Sequence, residues 1–113
     1  MVDWQSPVDG HLYQVGRVGL EQDAISLIGR HRPDLALLDI RLMGRRNGID
    51  VAEEVTRRFG TGVIFETAES SPVVRGQAEL VGPFAWLTKP FEPEELLATV
   101  DAAMGEIHMR TRH

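Results

Sequence analysis

The sequence predicts an α/β fold, a doubly wound parallel sheet with helices on both faces, and three observations carry that expectation. Short apolar runs alternate along the chain with stretches of helical period. The runs are continuous rather than alternating, the pattern of strands buried on both faces. Each run also stops at turn or polar residues.

The strands come first. Leu35-Ala36-Leu37-Leu38 ends in Asp39. Val63-Ile64-Phe65 is bounded by Gly60 and Gly62 before it and by Glu66-Thr67 after it. Phe84-Ala85-Trp86-Leu87 follows Gly82-Pro83 and stops at Lys89-Pro90. Tyr13 to Val18 is a weaker run, interrupted by Gly16.

Helices fill the intervals. From Glu21 to Arg30, Ala24, Leu27 and Ile28 recur at i, i+3 and i+4. From Asn47 to Phe59, Ile49, Ala52, Val55 and Phe59 share a face that excludes Glu53 and Glu54. Ser71-Pro72 reads as an N-cap followed by proline at the first helical position, with Val73 to Leu80 behind it. Pro93-Glu94-Glu95 opens the last helix with negative charge at the positive end of its dipole, and Leu96, Leu97, Val100 and Met104 stripe it.

Composition narrows the function. A chain of 113 residues is one domain, large enough to bury a core without staples. Apolar residues make up 42% and charged residues 26%, too hydrophobic a mixture for a disordered chain. Cysteine is absent, which excludes disulfides, thiolate metal sites and a cysteine nucleophile. No apolar run approaches the roughly 18 residues of a membrane span, and no signal peptide is present, so the expected location is the cytoplasm. Seventeen acidic and twelve basic residues give a net charge of −5, which opposes nucleic-acid binding. Arg41, Arg45 and Arg46 form a compact basic cluster that reads as a solvated loop. His11, His31, His108 and His113 have no metal-ligand spacing.

In parallel sheets, ligands bind beyond the carboxyl ends of the strands. Asp39, Thr67 and Lys89 stand at three such ends, so one edge gathers a carboxylate, a hydroxyl and an ammonium. An aspartate can act as a nucleophile towards phosphorus, and the other two groups can hold the transferred oxygens. Alone, each residue reads as a cap, a turn or a solvated loop residue. Their joint placement favours a site.

These residues also carry a resemblance. Arg32-Pro33-Asp34-Leu35-Ala36-Leu37-Leu38-Asp39-Ile40-Arg41-Leu42, followed by Asn47-Gly48-Ile49, resembles the acceptor region of bacterial response-regulator receiver domains, of flavodoxin-like fold. Val63 to Ala68 is similar to that family's fourth strand, and Gly82 to Phe91 to its fifth strand with the Lys-Pro-Phe ending. Glu94-Glu95-Leu96-Leu97 resembles the start of its final helix. The resemblance implies that Asp39 accepts a phosphoryl group from a histidine kinase or a phosphotransfer protein. It implies that Thr67, Ala68 and Lys89 bind that group, and that Trp86 takes the switch-aromatic position, usually tyrosine or phenylalanine. It also implies a cis peptide at Lys89-Pro90 and a Mg²⁺ held by Asp39 and the backbone carbonyl of Arg41. Met43 stands where the family usually has proline.

The front of the chain departs from that pattern. Tyr13 to Val18 aligns with the family's second strand, so residues 1–12 form an atypical segment before a receiver-like domain at 13–113. On this reading the usual first strand and first helix are missing. So is the acidic pair that holds Mg²⁺, for which Asp3 and Asp9 are the only local substitutes. A missing central strand leaves a gap that residues 1–8, a rearrangement or a homodimer would close. No output domain follows the last helix, so output falls to protein–protein contacts with a target the sequence does not name. Two readings stay open: a phosphorylated receiver, and a receiver-shaped interaction module that has lost phosphorylation. An enzyme is disfavoured, because Arg41 stands where aspartate-nucleophile phosphatases of the haloacid-dehalogenase type carry a second aspartate.

Overall fold

Among the described residues, five strands make one sheet, in the spatial order β1-β2-β3-β4-β5. The chain, seen in a computed structural model, is described over residues 2–5, 11–15, 21–40, 48–68 and 72–111. Its elements are β1 (Val2–Gln5), β2 (His11–Val15), α1 (Glu21–His31), β3 (Leu35–Asp39), α2 (Gly48–Phe59), β4 (Gly62–Thr67), α3 (Pro72–Glu79), β5 (Ala85–Thr88) and α4 (Pro93–Thr111). β2 to β5 are parallel to their neighbours, whereas β1 runs antiparallel to β2.

Local chemistry sets the helix ends. Proline opens α3 and α4, and Glu94 and Glu95 occupy the first turn of α4. Arg57 and Arg58 close α2, after which Gly60 takes a positive φ of 69° and donates to the Thr56 carbonyl. Arg32 ends α1 in the same left-handed region, with its N–H on the Ile28 carbonyl at 2.7 Å. Ser71, singled out as an N-cap, lies outside the described residues.

Alternation along the strands divides the core into two layers. Ala36, Leu38, Val63 and Phe65 meet Ala24 and Ile28 of α1, Ala52 and Val55 of α2, and Ala78 of α3. On the opposite face, Leu35, Leu37, Ile64 and Leu87 meet Val100, Ala103 and Met104 of α4. Most of these side chains are fully buried, and each of the valines, leucines, isoleucines and phenylalanine is worth about 1.5–3 kcal/mol of transfer free energy.

The N-terminal arrangement corrects the strand assignment made from sequence. In the doubly wound order 2-1-3-4-5, the strand beside the third is the first. That place is held by β2, which pairs with β3 from Leu12↔Leu35 to Val15↔Leu38. The run expected at Tyr13 to Val18 therefore sits centrally, in a strand described over His11–Val15. β1 takes the edge position, with Val2 opposite Gln14 and Gln5 opposite His11. The reason is connection length: an antiparallel neighbour needs only a hairpin, while a parallel one needs a crossover of about a dozen residues. Among the described residues the sheet is unbroken from β1 to β5, and there is no gap for a second chain to fill.

Candidate functional site

The carboxyl edge of the parallel strands collects three of the four buried polar residues among those described; Thr61, before β4, is the fourth. Asp39, Glu66 and Thr67 are all buried there, although each ends or nearly ends a strand of apolar side chains. Burial of this kind requires partners.

Asp39 is the last residue of β3. Leu35, Leu37 and Asp39 form one row, so the carboxylate lies on the α4 face while Leu38 and Ile40 anchor the opposite layer. The backbone behind Asp39 is clamped on two sides. Ile40 N–H donates to the Glu66 carbonyl at 3.4 Å, and Gly48 N–H donates to the Ile40 carbonyl at 2.8 Å. A Cβ at Gly48 would stand 2.1 Å from the Asp39 carbonyl oxygen and 2.8 Å from Ile40 Cα. This close approach explains why glycine opens α2 in the Asn47-Gly48-Ile49 stretch: any side chain would push the helix off the end of β3.

Lys89 reaches the site from the end of β5. Its N–H donates to the Thr67 carbonyl at 2.9 Å, which extends the β4–β5 ladder by one residue. The Lys89–Pro90 peptide is cis. Nζ donates to Asp39 Oδ2 and lies 4.0 Å from Glu66 Oε1. Both carboxylates are 3% exposed and the lysine 16%, so this is one ammonium between two buried anions.

Glu66 is the residue that sequence reasoning missed. It was placed after the apolar run as a boundary, but β4 continues through it to Thr67. Register sets Glu66 directly opposite Asp39, and alternation gives the two carboxylates the same face. The signal that could have found it is its place between Phe65 and Thr67, inside a strand buried on both sides.

Thr67 closes β4 at the same edge, opposite Thr88, but in the other row, with Val63 and Phe65. Ala68 follows it and is exposed. Trp86 is half-buried, with its ring 5.4 Å from that of Phe65 and the Arg75 guanidinium 4.7 Å above it. The indole is thus held between an aromatic ring and a cation.

Several expected contributors stand elsewhere. Asp3 lies on the edge strand, opposite Tyr13, itself opposite Ala36, which is three residues short of Asp39. Asp9, Met43 and the Arg41 carbonyl fall outside the described residues. Among the described residues no group of three or more histidine, aspartate or glutamate side chains could hold a metal, and no helix is long and apolar enough to cross a membrane.

The geometry is that of a charged edge at the carboxyl ends of the parallel strands β3, β4 and β5, and it can be set against known proteins. Residues 6–101 match the model of the response regulator receiver domain. The chain belongs to that family. Transcriptional regulatory protein PdtaR of Mycobacterium tuberculosis is 34% identical over 91 residues, 80% of this chain. The match spans 44% of that relative's length. Among solved structures, the chemotaxis protein CheY4 of Vibrio cholerae is 28% identical with a TM-score of 0.65, covering 74% of this chain and 71% of that one. The signal receiver domain of a modulated diguanylate cyclase from Desulfovibrio desulfuricans G20, described as an example of alternate folding, has a TM-score of 0.81. It covers 88% of this chain and 96% of that one, and at 21% identity it speaks to the fold alone. This receiver domain is a module of two-component signalling.

Proposed function

We propose that this receiver takes a phosphoryl group onto Asp39 from the phosphohistidine of a sensor histidine kinase or a phosphotransfer protein in the cytoplasm. The observation that carries the reading is the contact of Lys89 Nζ with the buried Asp39 carboxylate at the end of β3. In the transfer, an oxygen of the Asp39 carboxylate attacks phosphorus. The bond from phosphorus to the donor breaks, and its electron pair leaves with the donor. The product is a mixed anhydride on Asp39.

Charge then moves outward from the carboxylate to the phosphoryl oxygens. Lys89 follows it, forming charge-assisted hydrogen bonds. The Thr67 hydroxyl, in the neighbouring row of the same edge, meets the group beyond the strand ends, and the Ala68 backbone lines the way. Trp86 carries the change to the α3 face, where Arg75 holds its ring. Output proceeds by contact with a protein partner.

Mg²⁺ is typical of the family, and the donor set here meets its lower limit. The ion takes one or two carboxylates together with substrate phosphates. Asp39 and the Arg41 carbonyl would hold it, and when bound it neutralises charge on the transferring group.

One observation favours the second reading, an interaction module without phosphorylation. The five residues after β2, Gly16-Arg17-Val18-Gly19-Leu20, include no carboxylate. Borohydride reduction after incubation with acetyl phosphate and Mg²⁺, followed by peptide mapping, decides between the two. The receiver reading predicts reduction confined to Asp39. An unmodified, folded chain supports the binding module.

A further inference from the structure

Lys89 has two anionic neighbours, and only one of them is the acceptor. Glu66 is paired in register with Asp39, shares its face of the sheet, and brings Oε1 to 4.0 Å from Nζ. We propose that Glu66 is a positioning residue that retains a share of the Lys89 ammonium and thereby restrains phosphoryl uptake at Asp39. This inference rests on the receiver reading given above.

Before transfer, the Lys89 ammonium faces two carboxylates, each 3% exposed, where water screens little. Transfer breaks the bond between phosphorus and the donor, sends the electron pair out with the donor, and joins phosphorus to an Asp39 oxygen. The negative charge of Asp39 is then replaced by about −1.5 to −2 on phosphoryl oxygens farther from β4. Lys89 has to move outward to meet it, while its backbone stays tied to the Thr67 carbonyl. Glu66 remains behind with its charge and draws the ammonium back. A neutral residue of the same shape would release it.

The experiment compares the full chain with Glu66→Gln, Lys89→Met and the double variant. Initial phosphoryl uptake from acetyl phosphate is followed by intact mass at saturating and limiting Mg²⁺. Glu66→Gln is expected to take up the group about tenfold faster, an energy near one charge interaction at this range. In the Lys89→Met background the same substitution is expected to change nothing, because Glu66 acts through the ammonium. A gain that persists without Lys89 would mean direct repulsion and would overturn the proposal. So would equal rates in the parent and Glu66→Gln. A slower Glu66→Gln rescued by excess Mg²⁺ would make Glu66 a metal-holding group, with the same consequence.

A second measurement does not depend on uptake. Lys89 is the only lysine in the sequence, so isotope-labelled lysine yields one side-chain NMR signal. In the unphosphorylated chain that signal is expected to move in Glu66→Gln and to return towards its parent position in Glu66→Asp. A signal unmoved by Glu66→Gln overturns the sharing of the ammonium. No adduct on any variant, with the signal moving as expected, overturns the receiver reading, and the restraint on uptake falls with it.

Discussion

The Asp39 carboxylate has two unlike sides. Towards β4 and β5 it faces Lys89, Glu66 and Thr67, all supplied by strand ends whose register is fixed. Towards β2 the register runs, among the described residues, from Leu12↔Leu35 to Val15↔Leu38, and the next five residues in the sequence bring no carboxylate. The difference teaches that the described residues build the β4 and β5 side of this edge. Glu66 stands on the lysine side.

The largest effect is expected from removing the cation on the built side. Lys89→Met leaves Asp39 and Glu66 buried without their shared ammonium, a loss of about 3–5 kcal/mol. Urea unfolding at neutral pH checks it, and an unchanged midpoint would show that the two carboxylates are compensated elsewhere. Gly48→Ala comes next. Its Cβ has no room beside the Asp39 carbonyl, so a destabilisation of about 2–3 kcal/mol is expected, with α2 displaced from β3. A crystal structure of the variant with that junction unmoved would refute the clamp.

The bare side can be tested by addition. Arg17→Asp places a carboxylate two residues after β2, and the Mg²⁺ concentration for half-maximal phosphoryl uptake is expected to fall about tenfold. An unaltered requirement would mean that the β2 side does not address the metal. The smallest effect belongs to the switch aromatic. Arg75→Ala removes the cation over Trp86 and costs about 0.5–1 kcal/mol. In a Trp4→Phe background the remaining indole fluorescence should shift. An identical spectrum would mean that Arg75 does not hold the ring.

Legibility in the sequence followed the same division. Asp39, Thr67 and Lys89 were readable because a buried strand is a run of apolar residues, and the polar residues that end the run mark the edge where ligands bind. Glu66 was not, because a carboxylate after Val63-Ile64-Phe65 looks like the end of a strand. Only register shows that the strand continues and that Glu66 stands opposite Asp39. β1 was unread for another reason. An edge strand paired on one side needs no continuous apolar run, and Val2–Gln5 has none. Without it, the run at Tyr13 to Val18 could not be assigned the central place that β2 holds. Arg75 over Trp86 joins α3 to β5, a contact between elements that no local pattern encodes.

The central claim is that Asp39, at the end of β3, is the phosphoryl acceptor. Intact mass after incubation with acetyl phosphate and Mg²⁺ tests it most directly, with Asp39→Asn in parallel. A single phosphoryl adduct on the parent and none on the variant is the predicted result. An adduct of equal size on both proteins, or none on a folded parent, would contradict it.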